Sequence, residues 1–163
     1  ESAVFSGGEA EVSGLELSAS WLMEGDGITY PLSVNFTSTD ATFKNSSESD
    51  YFGVVAAGDD LPYIPDTQFS VVAGFISDNG MSGNARFVNV GSSCSIAACG
   101  TYNEIESHSY LDLSLRKPVN DSTNVYVILE NAFDAEDLIS RAPSEGARSQ
   151  KPRTIKLGVS LDF

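Results

Sequence analysis

Arg141, Arg148, Lys151, Arg153 and Lys156 are five of the nine Lys and Arg residues in this 163-residue chain, all within its last 23 positions. The chain as a whole carries a formal net charge of -14. Guanidinium forks bind carboxylates and other anions through paired hydrogen bonds, and ammonium groups bind them as point charges. Arg141, Arg148 and Lys151 are therefore the candidate ligand-binding residues. The competing use of this cluster is to pair with phosphates at a membrane surface, or with the nearby acids Glu136, Asp137 and Glu145. The acidic balance of the rest excludes nucleic acid as a general partner, because the phosphate backbone repels it.

Cys94 and Cys99 lie in a small-residue stretch, Gly91-Ser92-Ser93-Cys94-Ser95-Ile96-Ala97-Ala98-Cys99-Gly100. His108 is the single histidine, so a four-ligand zinc site of the usual Cys and His type is not available. A local disulfide, in preference to two free thiols, is expected, and it implies an oxidising location. Asp59, Asp60 and Asp66 lack the spacing of a calcium loop and read as solvated loop acids. No nucleophile has a nearby histidine, and no Gly-rich phosphate loop or metal motif is present, so no catalytic residue, metal or cofactor is expected.

These side chains need elements to hold them, and period-2 alternation supplies the elements. Residues Thr154 to Phe163 put Ile155, Leu157, Val159, Leu161 and Phe163 on one strand face and polar or small residues on the other. Phe163 is assigned as a C-terminal assembly signal, since an apolar face ending on an aromatic is the pattern of the closing strand of an outer-membrane barrel. The same alternation marks strands near 11–23, 29–39, 67–77, 81–90, 107–117, 124–133 and 153–163. Residues 24–27, 78–80 and 118–122 read as tight turns, and the other three connections are long. Alternating short and long connections belong to outer-membrane barrels. No apolar run approaches a membrane helix and no signal peptide opens the chain, whereas a membrane strand needs only about 9 to 11 residues.

Charge says which face meets lipid. A Lys or Arg on the lipid side at the midplane costs about 2–4 kcal/mol. Glu16, Arg86, Asp112, Arg116, Glu130, Lys156 and Asp162 should accordingly face a lumen or a plug. Leu32, Val34 and Phe36, then Phe69, Val71, Ala73 and Phe75, then Leu111, Leu113 and Leu115, then Val125, Val127 and Leu129 should face out, with Trp21, Tyr30, Phe75 and Phe163 in an aromatic girdle. Glu130 and Lys156 should approach each other across the last two strands. The fold class is all-β, a transmembrane antiparallel β-barrel. Seven strands are an odd number, so further strands are expected from elsewhere. Two other readings compete. One is a self-contained eight-strand adhesion or structural barrel with a hidden strand in 44–58, and the other is a secreted acidic β-sandwich binding carbohydrate or calcium.

Four segments carry a family resemblance: Gly14-Leu15-Glu16-Leu17, Leu61-Pro62-Tyr63-Ile64-Pro65, Asn131-Ala132-Phe133-Asp134, and Gly146 through Pro152-Arg153-Thr154. In this order and spacing the chain resembles the C-terminal third of a TonB-dependent outer-membrane receptor. Ala132 stands where the family usually has Leu. Residues 58–65, and Ser140-Arg141-Ala142-Pro143 with Lys151-Pro152-Arg153-Thr154, look most like receptors of the ferric citrate type. The resemblance implies that residues 1–163 are about seven C-terminal strands of a 22-stranded plugged barrel in the bacterial outer membrane. Its plug and remaining strands would be supplied by another chain. It further implies import of a ferric chelate, siderophore or citrate-like, driven through the plug by the TonB complex, with lipopolysaccharide and lipid around the wall.

Overall fold

The computed structural model describes residues 9–49, 53–142 and 146–161. Asp162 and Phe163, assigned above to the lumen and to assembly, lie outside the described residues, as do Pro143 and Glu145. The chain order is β1 (Ala10–Gly25), β2 (Ile28–Phe43), β3 (Ser47–Ser49), β4 (Gly53–Val55), β5 (Thr67–Ser77), β6 (Ser82–Val90) and β7 (Ser93–Cys94). It continues with β8 (Glu104–Ile105), β9 (His108–Asn120), β10 (Thr123–Glu130), β11 (Leu138–Ala142), β12 (Gly146–Ser149) and β13 (Thr154–Leu161). No helix is present among the described residues.

Seven of these strands form one antiparallel sheet in the order β1-β2-β5-β6-β9-β10-β13, each paired with its neighbour in the chain's up-and-down course. Register fixes the faces, because directly opposed residues in a ladder point the same way. One row crosses all seven strands: Trp21, Leu32, Ala73, Ala85, Leu113, Leu129 and Ile155. The adjoining row on the opposite face contains Gly74, Asn84, Ser114, Ile128 and Lys156. A one-residue slip in any ladder would mix the two, so the apolar and polar patterns and the pairing specify each other. On the polar face Ser18 Oγ donates to Asn35 Oδ1 at 2.9 Å and Asn35 Nδ2 donates to Ser70 Oγ at 3.4 Å, linking three strands.

The short connections are tight. Asp26 (φ 50°) and Gly27 (φ 74°) both occupy the left-handed region, as a two-residue hairpin whose twist matches its strands requires. The expected turn at 118–122 is narrower than the sequence indicated: β9 runs to Asn120, and a register shift beside Thr123 accommodates Pro118 and Val119. Proline has no N–H to give a ladder, which is why it sits at an irregularity.

The long connections are not plain loops. Each contains a small hairpin, β3–β4, β7–β8 and β11–β12. Their strands run two to five residues and lack alternation, so the pattern that marks the wall could not mark them. Strands do occur within 44–58, but they pair with each other outside the seven-stranded sheet, so no eighth wall strand is found there among the described residues. Among the described residues one buried apolar cluster, Phe43, Val55 and Ala97 with Leu61 against it, joins the end of β2 to this loop layer. Cys94 and Cys99 are disulfide-bonded, with Cα atoms 5.7 Å apart.

Among the described residues the wall has no second layer. Leu157 is 76% exposed and Ile155 67%, and β1 and β13 are the two edges of the sheet. A β-sandwich would bury these side chains under another sheet, so the sandwich reading is corrected. The eight-strand closed barrel finds no support in a sheet whose edge strands do not pair.

One wall contact gives a clean mutational test. A Cβ on Gly158 would fall 2.1 Å from Tyr126 Cζ, because the tyrosine ring of β10 lies over the bare glycine backbone of β13. Gly158→Ala is expected to cost about 1–3 kcal/mol through this overlap. Combining it with Tyr126→Ala should cost less than the sum of the two single changes. Unfolding of the four proteins in a double-mutant cycle measures this, and strict additivity would show that the ring does not occupy the space.

Candidate functional site

The loop-side ends of β9 and β10 carry the densest polar constellation on the polar face. Asn131, just past β10, has φ 49° and is 5% exposed. Its N–H donates to Asp112 Oδ1 at 3.0 Å. Its amide Nδ2 donates to the carbonyls of Ala135 (2.9 Å) and Lys151 (2.8 Å), while its Oδ1 accepts from Ala135 N at 3.2 Å. Asparagine tolerates the left-handed region and can bond backbone in both senses, so it reverses the chain and fastens the returning strand at once. Asp134, also left-handed at φ 56°, receives Arg153 N and Arg153 Nη2 on its two oxygens, each at 3.1 Å. The two ends of the last long connection are thereby clamped together.

Glu130 is the electrostatic centre. Its Oε1 lies 2.5 Å from Lys156 Nζ and its Oε2 bonds Lys151 Nζ, so one carboxylate holds two ammonium groups. The approach of Glu130 and Lys156 expected from the strand count is present. Gln150, 9% exposed, donates through Nε2 to Ser109 O at 3.2 Å, pinning the end of the loop to β9. Between this loop and the wall lies a cavity of about 480 Å³ lined by His108, Tyr110, Asp112, Glu130, Asn131, Ile139, Gln150 and Lys151.

Glu16, Arg86, Asp112, Arg116, Glu130 and Lys156 all share the polar face by register. Arg86 opposes Asp112 on the neighbouring strand and places its guanidinium carbon 5.8 Å from the Tyr110 ring centroid. Arg141, Arg148 and Lys151 do not converge. In the β11–β12 register Arg141 opposes Ala147 and Arg148 opposes Ser140, so the two arginines leave opposite faces of that hairpin. Lys151 has turned down to Glu130. Arg141 stands 4.7 Å over the Tyr102 ring, its Nε buried without a partner. Its carbonyl accepts from Tyr63 Oη, and Tyr63 N donates to Cys94 O at 2.8 Å, so Tyr63 joins all three long connections. Two of the basic residues bind acids other than the loop acids first considered: Lys151 takes Glu130 and Arg153 takes Asp134. No group of three or more metal-ligating side chains occurs among the described residues.

Sequence reasoning did not single out Asn131, Tyr110 or Gln150 as site residues. Asn131 and Asp134 were visible only as parts of a motif. The signal that would have found them is the cluster of turn-forming residues directly after a strand.

Comparison with known proteins bears on what this arrangement serves. A family model described as TonB dependent receptor-like, beta-barrel matches residues 2–132. No curated protein matches the sequence. Among solved structures, the closed form of the ferric-catecholate import receptor Fiu from E. coli K12 superimposes with a TM-score of 0.65 at 18% identity, over 94% of this chain and 28% of that one. At that identity the likeness is one of fold. The chain spans little more than a quarter of the structure it matches.

Proposed function

We propose a role in outer-membrane import for this chain, which belongs to the TonB-dependent receptor β-barrel family of transporters. Its seven strands are read as a C-terminal part of a larger plugged barrel, with the remaining strands and the plug completing the wall and filling it. The observation that carries this reading is the open, single-layered sheet with one continuous apolar face and one charged face. Two open edges cannot face hydrocarbon, because unsatisfied backbone groups there cost several kcal/mol each. Additional strands must pair with β1 and β13.

In this reading Glu16, Arg86, Asp112, Arg116, Glu130 and Lys156 line the lumen and meet the plug. A polar wall of exchangeable hydrogen bonds lets a plug be held and yet released, since each such bond contributes little net free energy. The cargo class is a ferric chelate. Support comes from motifs similar to receptors of the ferric citrate type and from the fold shared with a ferric-catecholate importer. Such chelates are anionic, and Arg141 and Arg148, on opposite faces of one loop hairpin, are the loop cations this reading assigns to them. Lys151, engaged by Glu130, fastens the last loop to the wall.

Uptake of radiolabelled ferric citrate and of a ferric catecholate by cells expressing the intact protein tests the proposal. Accumulation of one chelate should require both the protein and an energised TonB complex. Equal accumulation with TonB removed would defeat it. Arg141→Gln with Arg148→Gln is expected to raise the half-saturating chelate concentration about tenfold, as loss of a charge-assisted contact predicts.

A further inference from the structure

We infer that Leu22, Pro31, Val72 and Ile76 seat an apolar segment of the plug and keep it in place during import, so that the plug gives way along β6 to β13 instead. The inference rests on the transport reading and assigns the holding side and the releasing side of the lumen. The charged face is not charged throughout. By register its short-turn half carries Leu22 opposite Pro31, and Pro31 lies over Gly74, where an added Cβ would meet its Cγ at 3.2 Å. Val72 and Ile76 stand two residues to either side of Gly74 on the same face. Leu22 is 64% exposed and Ile76 51%, on the side of the sheet that faces the lumen.

Among the described residues β2 and β5 place no Asp, Glu, Lys or Arg on this face. On β1, Glu24 borders the patch at the turn and Glu16 lies three rows above Leu22. Arg86, Asp112, Arg116, Glu130 and Lys156 all stand on β6, β9, β10 and β13. Something must cover the apolar side chains, since a contiguous apolar patch with a polar rim marks an interaction surface. Missing strands extend the sheet at β1 and β13 within its own plane, and lipid lies against the opposite face. The plug is the body left to cover them, and burying Leu22 and Ile76 calls for apolar residues on it. Two kinds of contact then hold the plug. Apolar area, once buried, returns to water at a cost proportional to its extent. Hydrogen bonds and ion pairs along β6 to β13 are exchanged for bonds to water at little net cost. A plug under tension therefore parts first from the charged side, and the route for cargo opens there.

Leu22 and Ser114 occupy one row of this face four strands apart, a span of about 19 Å. p-Benzoylphenylalanine placed at either position of the intact protein in cells links covalently, on irradiation, to whatever lies against it. Both positions should yield cross-links to plug peptides, with apolar residues at the Leu22 junction. Uptake of radiolabelled ferric citrate and of a ferric catecholate is measured before and after irradiation and corrected for the fraction linked. It should fall less than about twofold for the probe at Leu22 and at least about tenfold for the probe at Ser114, where the tether blocks the step that opens the route. A plug linked at Ser114 but not at Leu22 overturns the inference and leaves the transport reading standing. Links at neither position overturn both. Uptake lost on linking Leu22 shows that the apolar side must also move, and overturns the inference as well. No uptake of either chelate before irradiation defeats the transport reading, while the peptide linked at Leu22 still decides what sits on the patch. Should the Leu22 variant fail to fold, Ile76 takes the same probe.

Discussion

Asn131→Ala is expected to destabilise the folded barrel by about 4 kcal/mol. Three side-chain hydrogen bonds disappear, each contributing about 1 kcal/mol net, and a non-glycine, non-asparagine residue must then hold the left-handed conformation at a further cost of about 1 kcal/mol. The carbonyls of Ala135 and Lys151 lose their side-chain donor in a pocket where Asn131 is 5% exposed. Asn131→Gly separates the two contributions, because glycine accepts φ 49° freely but has no amide. The glycine variant should recover about 1 kcal/mol and remain well below the wild type. The temperature at which the unboiled, compact band of the intact protein converts to the unfolded band measures all three. A glycine variant as stable as wild type would mean that the amide network holds nothing.

Much of the wall was legible in the sequence because two independent signals agree there. Alternation alone marks β13, but Lys156 between Ile155 and Leu157 also says which face is which, and Arg86 and Arg116 do the same for β6 and β9. The polar row through Ser114 and Lys156 then follows from pairing. The loop layer gave no such signal. The hairpin β7–β8 comprises two residues per strand, and its place is set by the disulfide, by Tyr63 and by contacts with residues far along the chain. Long-range packing of this kind has no period. The cavity was hidden for a related reason: His108, Asp112, Ile139 and Gln150 come from a strand and a distant loop, and no spacing announces that they meet.

The basic cluster shows a different limit. Five cations crowd the end of the chain, and their number suggested a common surface. Strand geometry disperses them, since Arg141 and Arg148 fall on opposite faces of a two-stranded hairpin. Proximity in sequence predicted a shared region but not a shared direction. The motif Asn131-Ala132-Phe133-Asp134, in contrast, acquires a physical cause: two left-handed residues of the right chemistry, and Phe133 edge-on to Phe87 with ring centroids 6.4 Å apart, turn the chain and bind its return.

The assignment of faces makes the second large prediction, and it turns on a single step along β9. Leu113 belongs to the apolar row that crosses all seven strands, opposite Ala85 and Leu129. Ser114, the next residue, opposes Asn84 and Ile128 on the other face. Leu113→Arg should destabilise the intact protein in lipid by about 2–4 kcal/mol, the cost of a cation on the lipid side near the midplane. Ser114→Arg should cost far less, because its guanidinium can reach water or the neighbouring polar groups. Denaturant unfolding from lipid vesicles measures both. The contrast is sharper than either value, since the two variants add the same side chain to adjacent positions of one strand and differ only in the medium each must enter. If Ser114→Arg proves the more costly, the charged face is the one that meets lipid. The row through Trp21, Leu113 and Ile155 would then need some other cover, because a sheet that leaves Leu157 76% exposed has nothing of its own to place over it.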